Sequence, residues 1–191
     1  IKMKLFLNTK QIFFYLFTAL LISSCSSDED EVDDIPELIN EEEVITTVVL
    51  TFDSSDNPTQ TIRWVVEEDN SLKFINLKAN TEYQVGISFL DETDPSDIED
   101  ITEEVIEEAD DHQVFYDFSD VSISYSSGTN DTIDSDGNPL YLNSLWTASS
   151  SGSGIVQAFL IHEPTSKTGT SRDSFGGETD VAIDIPITIV D

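Results

Sequence analysis

The chain has 191 residues and is strongly acidic, with 39 Asp and Glu residues against 8 Lys and Arg residues and a formal net charge of −31. A surface of this sign repels the phosphate backbone of nucleic acids and the headgroups of anionic membranes, which argues against a nucleic-acid-binding function. Cations, cationic peptides and basic proteins are the partners that this charge favours.

The first 24 residues have the pattern of a bacterial lipoprotein signal peptide. A basic start precedes an apolar run over residues 12–22, and small residues lead from there to Cys25, the only cysteine of the chain. The pattern predicts cleavage before Cys25 and attachment of lipid to it. A transmembrane anchor and an ordinary secretory signal are the alternatives, but the apolar run is about half of the roughly 20 residues that a spanning helix needs. Lipidation of Cys25 leaves no thiol for a disulfide, a metal site or a nucleophile.

Residues 25–43 are predicted to hold the lipidated cysteine and a flexible acidic tether, because the polar run 26–34 has too few apolar side chains to bury. This serine-containing acidic run resembles the export signal of lipoproteins in Bacteroidota. The resemblance implies an outer-membrane protein that is lipid-anchored and faces the cell exterior. A plain charged spacer is the alternative.

From residue 44 onward the sequence changes to short runs that are rich in β-branched residues. The runs 44–52 and 61–66 flank a turn at 56–58 and predict a β-hairpin. Apolar and polar residues alternate along several later runs, which indicates antiparallel strands that pack on a shared core. We therefore predict an all-β fold, an antiparallel β-sandwich of immunoglobulin-like type over residues 44–191, with a closed barrel as the alternative. The later runs are 72–77, 83–90, 113–118, 121–126, 140–147, 155–162 and 181–190.

One segment has the periodicity of a helix. Apolar residues recur every three or four positions from Ile98 to Ala109, and Ser96 and Glu99 have the spacing of a capping box. These signals predict an amphipathic helix over about 97–111 that connects two strands and lies on the sandwich.

Acidic residues crowd the predicted end of this helix, where the backbone carbonyl dipoles already make the environment negative. Glu108, Asp111 and His112 lie there. A bound cation would relieve the repulsion, and carboxylates together with an imidazole suit calcium, manganese, zinc or copper. The alternative is a solvated acidic face in a chain that is acidic throughout.

The second histidine, His162, lies at the end of a predicted strand and is followed by Glu163. A polar loop over 165–177 comes next and could close over a ligand, and Glu178 and Asp180 follow it. One end of the sandwich could thus gather His162, Glu163, Glu178 and also His112 around a metal ion, although a histidine at a strand end is also an ordinary hydrogen-bonding residue. The predicted metal ligands are His112, His162, Glu108, Asp111, Glu163 and Glu178.

An apparent calcium loop has a simpler interpretation. Asp134, Asp136 and Asn138 alternate like the first ligands of an EF-hand, but Leu145 stands where that motif needs a glutamate. The Asp-Gly pair therefore predicts a hairpin turn.

The sequence also lacks the common catalytic patterns. It has no Gly-x-Ser-x-Gly elbow, no phosphate-binding glycine loop and no His-Glu-x-x-His motif. Trp64 and Trp146 fall inside strand patterns, where a role in the core is expected. These observations predict a protein that is not an enzyme.

Four stretches of the domain, residues 103–116, 136–139, 160–164 and 176–180, resemble a group of small flavobacterial lipoproteins encoded beside TonB-dependent outer-membrane receptors. Members of that group are loosely assigned to a type 1 periplasmic binding fold, whose alternating strands and helices need a longer chain, so the strand pattern is preferred here. The resemblance implies a surface-displayed accessory protein that captures a metal ion or metal complex for a TonB-dependent receptor. The competing hypothesis is a structural or adhesive surface module with no specific small ligand.

Overall fold

Ten strands and two short helices make up most of residues 43–191, the residues that the computed structural model describes. The predictions for the signal peptide, for Cys25 and for the tether up to residue 42 fall outside these described residues. In the described part of the chain, no helix is long and apolar enough to cross a membrane. In chain order the elements are β1 (Thr47–Ser54), β2 (Asn57–Val65), β3 (Ile75–Lys78), β4 (Thr81–Asp91), β5 (Glu99–Asp100), α1 (Ile101–Glu107), β6 (His112–Ser119), β7 (Ile123–Ser127), β8 (Asn143–Ala148), β9 (Gly152–His162), α2 (Arg172–Phe175) and β10 (Glu178–Val190).

The strands form two sheets that share one apolar core, which confirms the predicted all-β sandwich. The first sheet has the order β2-β1-β4-β8-β7, with β5 paired to the end of β4, and the second has the order β3-β10-β9-β6. Neighbouring strands are antiparallel except β3 and β10, which run parallel. The second sheet is therefore mixed rather than purely antiparallel. No hairpin joins β3 to β10, so turn geometry does not fix their relative direction.

The core follows the alternation of the sequence. Along β10 every second residue from Val181 to Ile189 is buried, and the residues between them face outward. Trp146 of β8 is fully buried, and the rings of Phe52, Tyr116 and Phe118 lie against it at centroid distances of 5.5, 5.0 and 4.9 Å. Burial of each such side chain stabilises the fold by about 1.5–3 kcal/mol, so this aromatic cluster is the centre of the sandwich.

The connecting helix begins later than predicted. α1 covers Ile101–Glu107 instead of about 97–111, and its N-cap is Asp100, whose side chain accepts a hydrogen bond from the Thr102 N–H at 3.1 Å. Ser96 is not the cap, because its N–H and hydroxyl both donate to Asp94 Oδ1 in the preceding turn. Local side-chain hydrogen bonds of this kind compete with helix formation.

The helix also ends earlier than predicted. Glu108 is the C-cap and donates its N–H to the carbonyl of Glu104, and the Asp111 N–H then donates to the carbonyl of Glu108 at 2.9 Å. These bonds turn the chain directly into β6, so His112 is the first residue of a strand. Because the helix is short, His112 lies at one end of the second sheet.

Candidate metal centre

His112 and His162 meet on neighbouring strands at one end of the second sheet. His112 begins β6, His162 ends β9, and the antiparallel register pairs the two residues directly. Their imidazole rings stack with centroids 4.9 Å apart and an angle of 6° between the planes. The His112 side chain is fully buried, whereas 13% of the His162 side chain is exposed. The structure therefore brings the chain's two histidines together, as the metal hypothesis requires.

Asp180 enters this cluster through a β-bulge in β10. The pairing of β10 with β9 shifts between Thr179 and Val181, so Asp180 is an extra residue with no partner on β9. Regular alternation would turn Asp180 away from the core because its neighbour Val181 points into it. A bulge places two successive side chains on the same side of the strand. The carboxylate consequently lies 4.0 Å from His162 Nδ1 and 3.9 Å from His112 Nε2.

Glu43 supplies a second carboxylate. Its Oε1 atom lies 3.2 Å from His112 Nε2, and its side chain is 8% exposed. Residues 43–46 belong to no helix or strand and lead into β1 of the first sheet. The Glu108 carboxylate is also near, since one ligand atom from each of Glu43, Glu108 and His112 lies within 4.8 Å of the other two. The centre therefore draws its groups from both sides of the sandwich.

A backbone contact fixes how the His112 ring faces the carboxylates. Nδ1 lies 3.2 Å from the carbonyl oxygen of Glu108. A carbonyl can only accept a hydrogen bond, so Nδ1 carries a proton, and in the neutral form of the ring Nε2 then presents a lone pair. Metal-bound histidines are commonly oriented in this way, with the second ring nitrogen donating to a carbonyl or a carboxylate.

The cluster leaves buried polar atoms without partners. His112 Nε2, Glu43 Oε2 and Asp180 Oδ2 are three of the four buried side-chain polar atoms that have no hydrogen-bond partner within residues 43–191. Such atoms are usually satisfied in native proteins, and each unsatisfied one costs about 1–3 kcal/mol. All three atoms belong to the histidine cluster, and a positively charged group bound there would satisfy them.

Burial raises the pKa of Asp180 to about 6, and the nearby carboxylates of Glu43 and Glu178 add to the rise while His112 and His162 oppose it. Burial also raises the pKa of Glu104, with further contributions from Glu43 and other carboxylates of the helix. Negative charge is therefore costly around this centre, and a divalent cation would offset it.

We expect Asp180→Asn to stabilise the metal-free protein at neutral pH. The folded pKa of Asp180 lies above its ordinary value of 3.8, so the stability that this group contributes is fully present below pH 3.8 and is lost as the pH rises through about 6. The substitution should raise the free energy of unfolding at pH 7 by about 1–2 kcal/mol, less than the full pKa shift implies because water screens the carboxylate.

The measurement is urea denaturation at pH 4 and pH 7 in the presence of a chelator. The gain should vanish at pH 4, where Asp180 is protonated in the wild type. Asp117→Asn, which removes an exposed carboxylate of β6, is the matched control. An equal gain for both variants would mean that relief of the overall negative charge, not the local environment of Asp180, is responsible.

The six predicted ligands divide into two groups. His112, His162 and Glu108 contribute to the clusters whose ligand atoms lie within 4.8 Å of one another. Among the described residues, Asp111, Glu163 and Glu178 belong to neither cluster, and all three are exposed. Glu178 is paired with His162 across the strands, but the bulge brings Asp180 to the ring instead. The two further carboxylates, Glu43 and Asp180, were not in the predicted ligand set.

The predicted relief of the negative helix end comes from within the protein. The Lys167 ammonium group donates to the carbonyl of Ala109 and, at 2.9 Å, to the carbonyl of His112, and it lies 3.3 Å from Asp134 Oδ2. A cation at this position neutralises the free carbonyls that follow the helix. The acidic helix end therefore needs no external ion, and the metal hypothesis depends on the paired histidines.

Asp134 organises the turn that resembled a calcium loop. Its carboxylate accepts hydrogen bonds from the N–H of Asp136 and from the N–H and side chain of Asn138. Burial alone would raise the pKa of Asp134, but the hydrogen bonds from Asn138 and Lys167 outweigh it and lower the pKa to about 2. Because these protein groups already occupy the carboxylate, the turn interpretation accounts for the segment.

The loop between β9 and β10 is anchored to the sheet. Phe175 of α2 is buried against Phe115 and Ile161, in a small apolar cluster separate from the main core. Gly177 has φ +65°, and a Cβ atom there would lie 2.2 Å from the carbonyl oxygen of His162. Glycine is thus required where the loop returns beside the metal centre. These two contacts restrict the movement by which the loop could close over a ligand.

Comparison of the chain with protein-family models, with curated proteins and with solved structures gives no significant match.

Proposed function

We propose that this protein is a surface-displayed lipoprotein that captures a divalent transition-metal ion with His112, His162, Asp180 and Glu43. The observation that carries the proposal is the environment of His112 Nε2. This atom is buried without a hydrogen-bond partner beside two carboxylates, while Nδ1 of the same ring donates to a carbonyl. In the neutral form of the ring, the Nε2 lone pair faces carboxylate oxygens, which is unfavourable unless a proton or a metal ion lies between them.

The spacing of the groups supports a metal with short bonds. Zinc bonds of about 2.0–2.1 Å in a tetrahedron place neighbouring ligand atoms roughly 3.3 Å apart. The distances from His112 Nε2 to Glu43 and Asp180 are 3.2 and 3.9 Å, and the distance from His162 Nδ1 to Asp180 is 4.0 Å. The His112–Glu43 separation already matches this value, whereas the two distances to Asp180 have to shorten by about 0.6–0.7 Å. Glu43 also has to approach His162 and Asp180, because its own cluster includes neither of them.

The kinds of ligand support the same class of metal. Two imidazoles with carboxylates suit zinc and its neighbours in the first transition row, whereas calcium prefers six to eight oxygen ligands. Two ionised carboxylates and two neutral imidazoles carry a charge that one divalent ion balances. Among the four metals considered from the sequence, zinc and copper therefore fit better than calcium, and manganese is intermediate.

Binding requires one ring to tilt. The planes of stacked, parallel imidazoles do not intersect, so the two rings cannot both direct an in-plane lone pair at one ion. His162 is the ring that can turn, because it is partly exposed whereas His112 is enclosed and held by Glu108.

The cellular role rests on the sequence. The lipoprotein signal that ends at Cys25 supports anchoring in the outer membrane, and the acidic run behind it supports display at the cell exterior. Delivery of the captured ion or metal complex to a TonB-dependent receptor is the use that the resemblance to flavobacterial lipoproteins implies. The chain acts in this role as a binding protein and not as an enzyme.

The direct test is isothermal titration calorimetry of residues 25–191 carrying Cys25→Ser, with zinc, copper, manganese and calcium in turn. We expect one-to-one zinc binding at micromolar affinity or tighter, and weaker calcium binding. His162→Gln should weaken zinc binding at least about 100-fold, because it removes a ligand of a closed shell.

Glu178→Gln is the matched control, since Glu178 is an exposed carboxylate next to the centre and should leave the affinity unchanged. Binding that is weak, multi-site, sensitive to salt and equal in both variants would contradict metal capture. The buried cluster would then be a structural ion-pair network, and a structural or adhesive surface module would be the better description.

A further inference from the structure

We propose that Glu43 is the ligand that closes the metal centre and sets how long the ion stays bound. The inference rests on the proposed function and assigns different roles to the four ligands. Three of them form a platform on the strands of the second sheet, and the fourth is borne by the segment that leads into β1.

The platform consists of His112, His162 and Asp180. They lie on the adjacent strands β6, β9 and β10 of the second sheet, and the β-ladders of β9 with both neighbours hold them in register. Lys167 adds a bond to the carbonyl of His112. The sheet holds the backbone of all three ligands, so this part of the centre is preorganised except for the tilt that the His162 ring has to make.

Glu43 has a different attachment. In the described part of the chain, the first backbone hydrogen bond of its segment is made by Thr46, whose N–H donates to the carbonyl of Leu90 at 3.0 Å. The hydroxyl of Thr46 adds a bond from the Glu92 N–H at 2.7 Å. Val44, between Glu43 and this anchor, is 57% exposed. The backbone of this segment is hydrogen-bonded from Thr46 onward and Ile45 packs against the main core, so the carboxylate reaches the platform from the two residues that precede this anchor.

The carboxylate of Glu43 is nevertheless directed into the centre. Its side chain is 8% exposed, Oε1 lies 3.2 Å from His112 Nε2, and Oε2 is buried without a partner. Because Oε2 is buried without a partner, binding of an ion by this carboxylate would satisfy an otherwise unsatisfied polar atom. Withdrawal of Glu43 would leave a three-ligand site with one position open to water, which is the arrangement of exchangeable metal sites.

The expected consequence is kinetic. With Glu43 in place, an ion is enclosed by protein ligands and can leave only after this carboxylate moves. Glu43→Gln removes the charge and keeps the size of the side chain. It should speed zinc release about 10- to 100-fold and weaken equilibrium binding by a similar factor, while association changes less.

The experiment is stopped-flow release of zinc into excess chelator, together with calorimetric affinities, on residues 25–191 carrying Cys25→Ser. Glu107→Gln is the matched control, because it removes one exposed acidic charge of α1 outside the two clusters. Glu43→Asp, which keeps the charge on a shorter stem, should release zinc at a rate between the wild type and Glu43→Gln. Near-ultraviolet circular dichroism checks that each variant is folded.

The outcomes separate the two proposals. Faster release by Glu43→Gln with no change in Glu107→Gln supports the closing role. One-to-one zinc binding whose release rate and affinity stay within twofold in Glu43→Gln overturns that role and leaves metal capture intact. Absence of one-to-one zinc binding in the wild type overturns both.

Discussion

Trp146→Ala is expected to lower the free energy of unfolding by about 3–5 kcal/mol, the range for removing a fully buried aromatic side chain. Trp146 is 0% exposed and is enclosed by the rings of Phe52, Tyr116 and Phe118. Its indole N–H donates to the Ser144 hydroxyl at 2.9 Å. The substitution leaves a cavity between the sheets and removes the donor that satisfies a buried hydroxyl, so both packing and hydrogen bonding are lost.

Urea denaturation followed by circular dichroism measures this effect. Leu72→Ala is the control, because Leu72 is 88% exposed and its truncation should change the free energy of unfolding by less than about 0.5 kcal/mol. Trp146→Phe should give an intermediate loss, since it keeps a ring but removes the N–H donor. A loss below about 1 kcal/mol for Trp146→Ala would contradict the placement of this residue at the centre of the sandwich.

The sandwich could be predicted because its signal is local and repeated. The alternation from Val181 to Ile189 places one face of β10 in the core wherever the strand pairs, and the structure buries those residues. The parallel pairing of β3 with β10 could not be predicted in the same way. It joins segments that are distant in sequence, and no turn between them constrains their direction.

The centre was only partly predictable, for two physical reasons. His112 and His162 carried a recognisable chemical signal, and both lie in the cluster. Asp180 could not be predicted as part of the cluster, because its side chain reaches the histidines only through a β-bulge. A one-residue shift in strand pairing has no clear sequence signature. Glu43 was hidden because its acidic neighbours made it look like tether. Its position beside His112 follows from a tertiary contact between the segment before β1 and the second sheet, which local sequence patterns do not show.

Lys167 explains why the acidic helix end does not need the bound cation that its sequence suggests. Sequence patterns show four acidic groups at residues 107–111. They do not show that Lys167, in the loop between β9 and β10, reaches the carbonyls of Ala109 and His112. The Lys167 side chain is 9% exposed, and the Asp134 side chain beside it is 4% exposed. The ammonium thus acts as a built-in cation that joins the helix end, the turn at Asp134 and the start of β6.

Lys167→Met is accordingly expected to lower the free energy of unfolding by about 3 kcal/mol at pH 7, because it leaves two carbonyls without their donor and the buried Asp134 carboxylate without its opposite charge. The substitution should also weaken zinc binding several-fold if the metal centre forms as proposed, since Lys167 holds the carbonyl of His112. Lys78→Met, at an exposed position of β3, is the control and should change neither quantity appreciably.

A double variant and a pH series test whether the lost charge pair is the cause. Lys167→Met combined with Asp134→Asn should recover part of the stability, because no buried carboxylate then remains unpaired. The folded pKa of Asp134 is about 2, below its ordinary 3.8. Its contribution is therefore present above about pH 4 and lost as the pH falls towards 2, and the difference between wild type and Lys167→Met should shrink over that interval. A difference that stays constant down to pH 2, with no recovery in the double variant, would assign the effect to packing of the lysine stem alone.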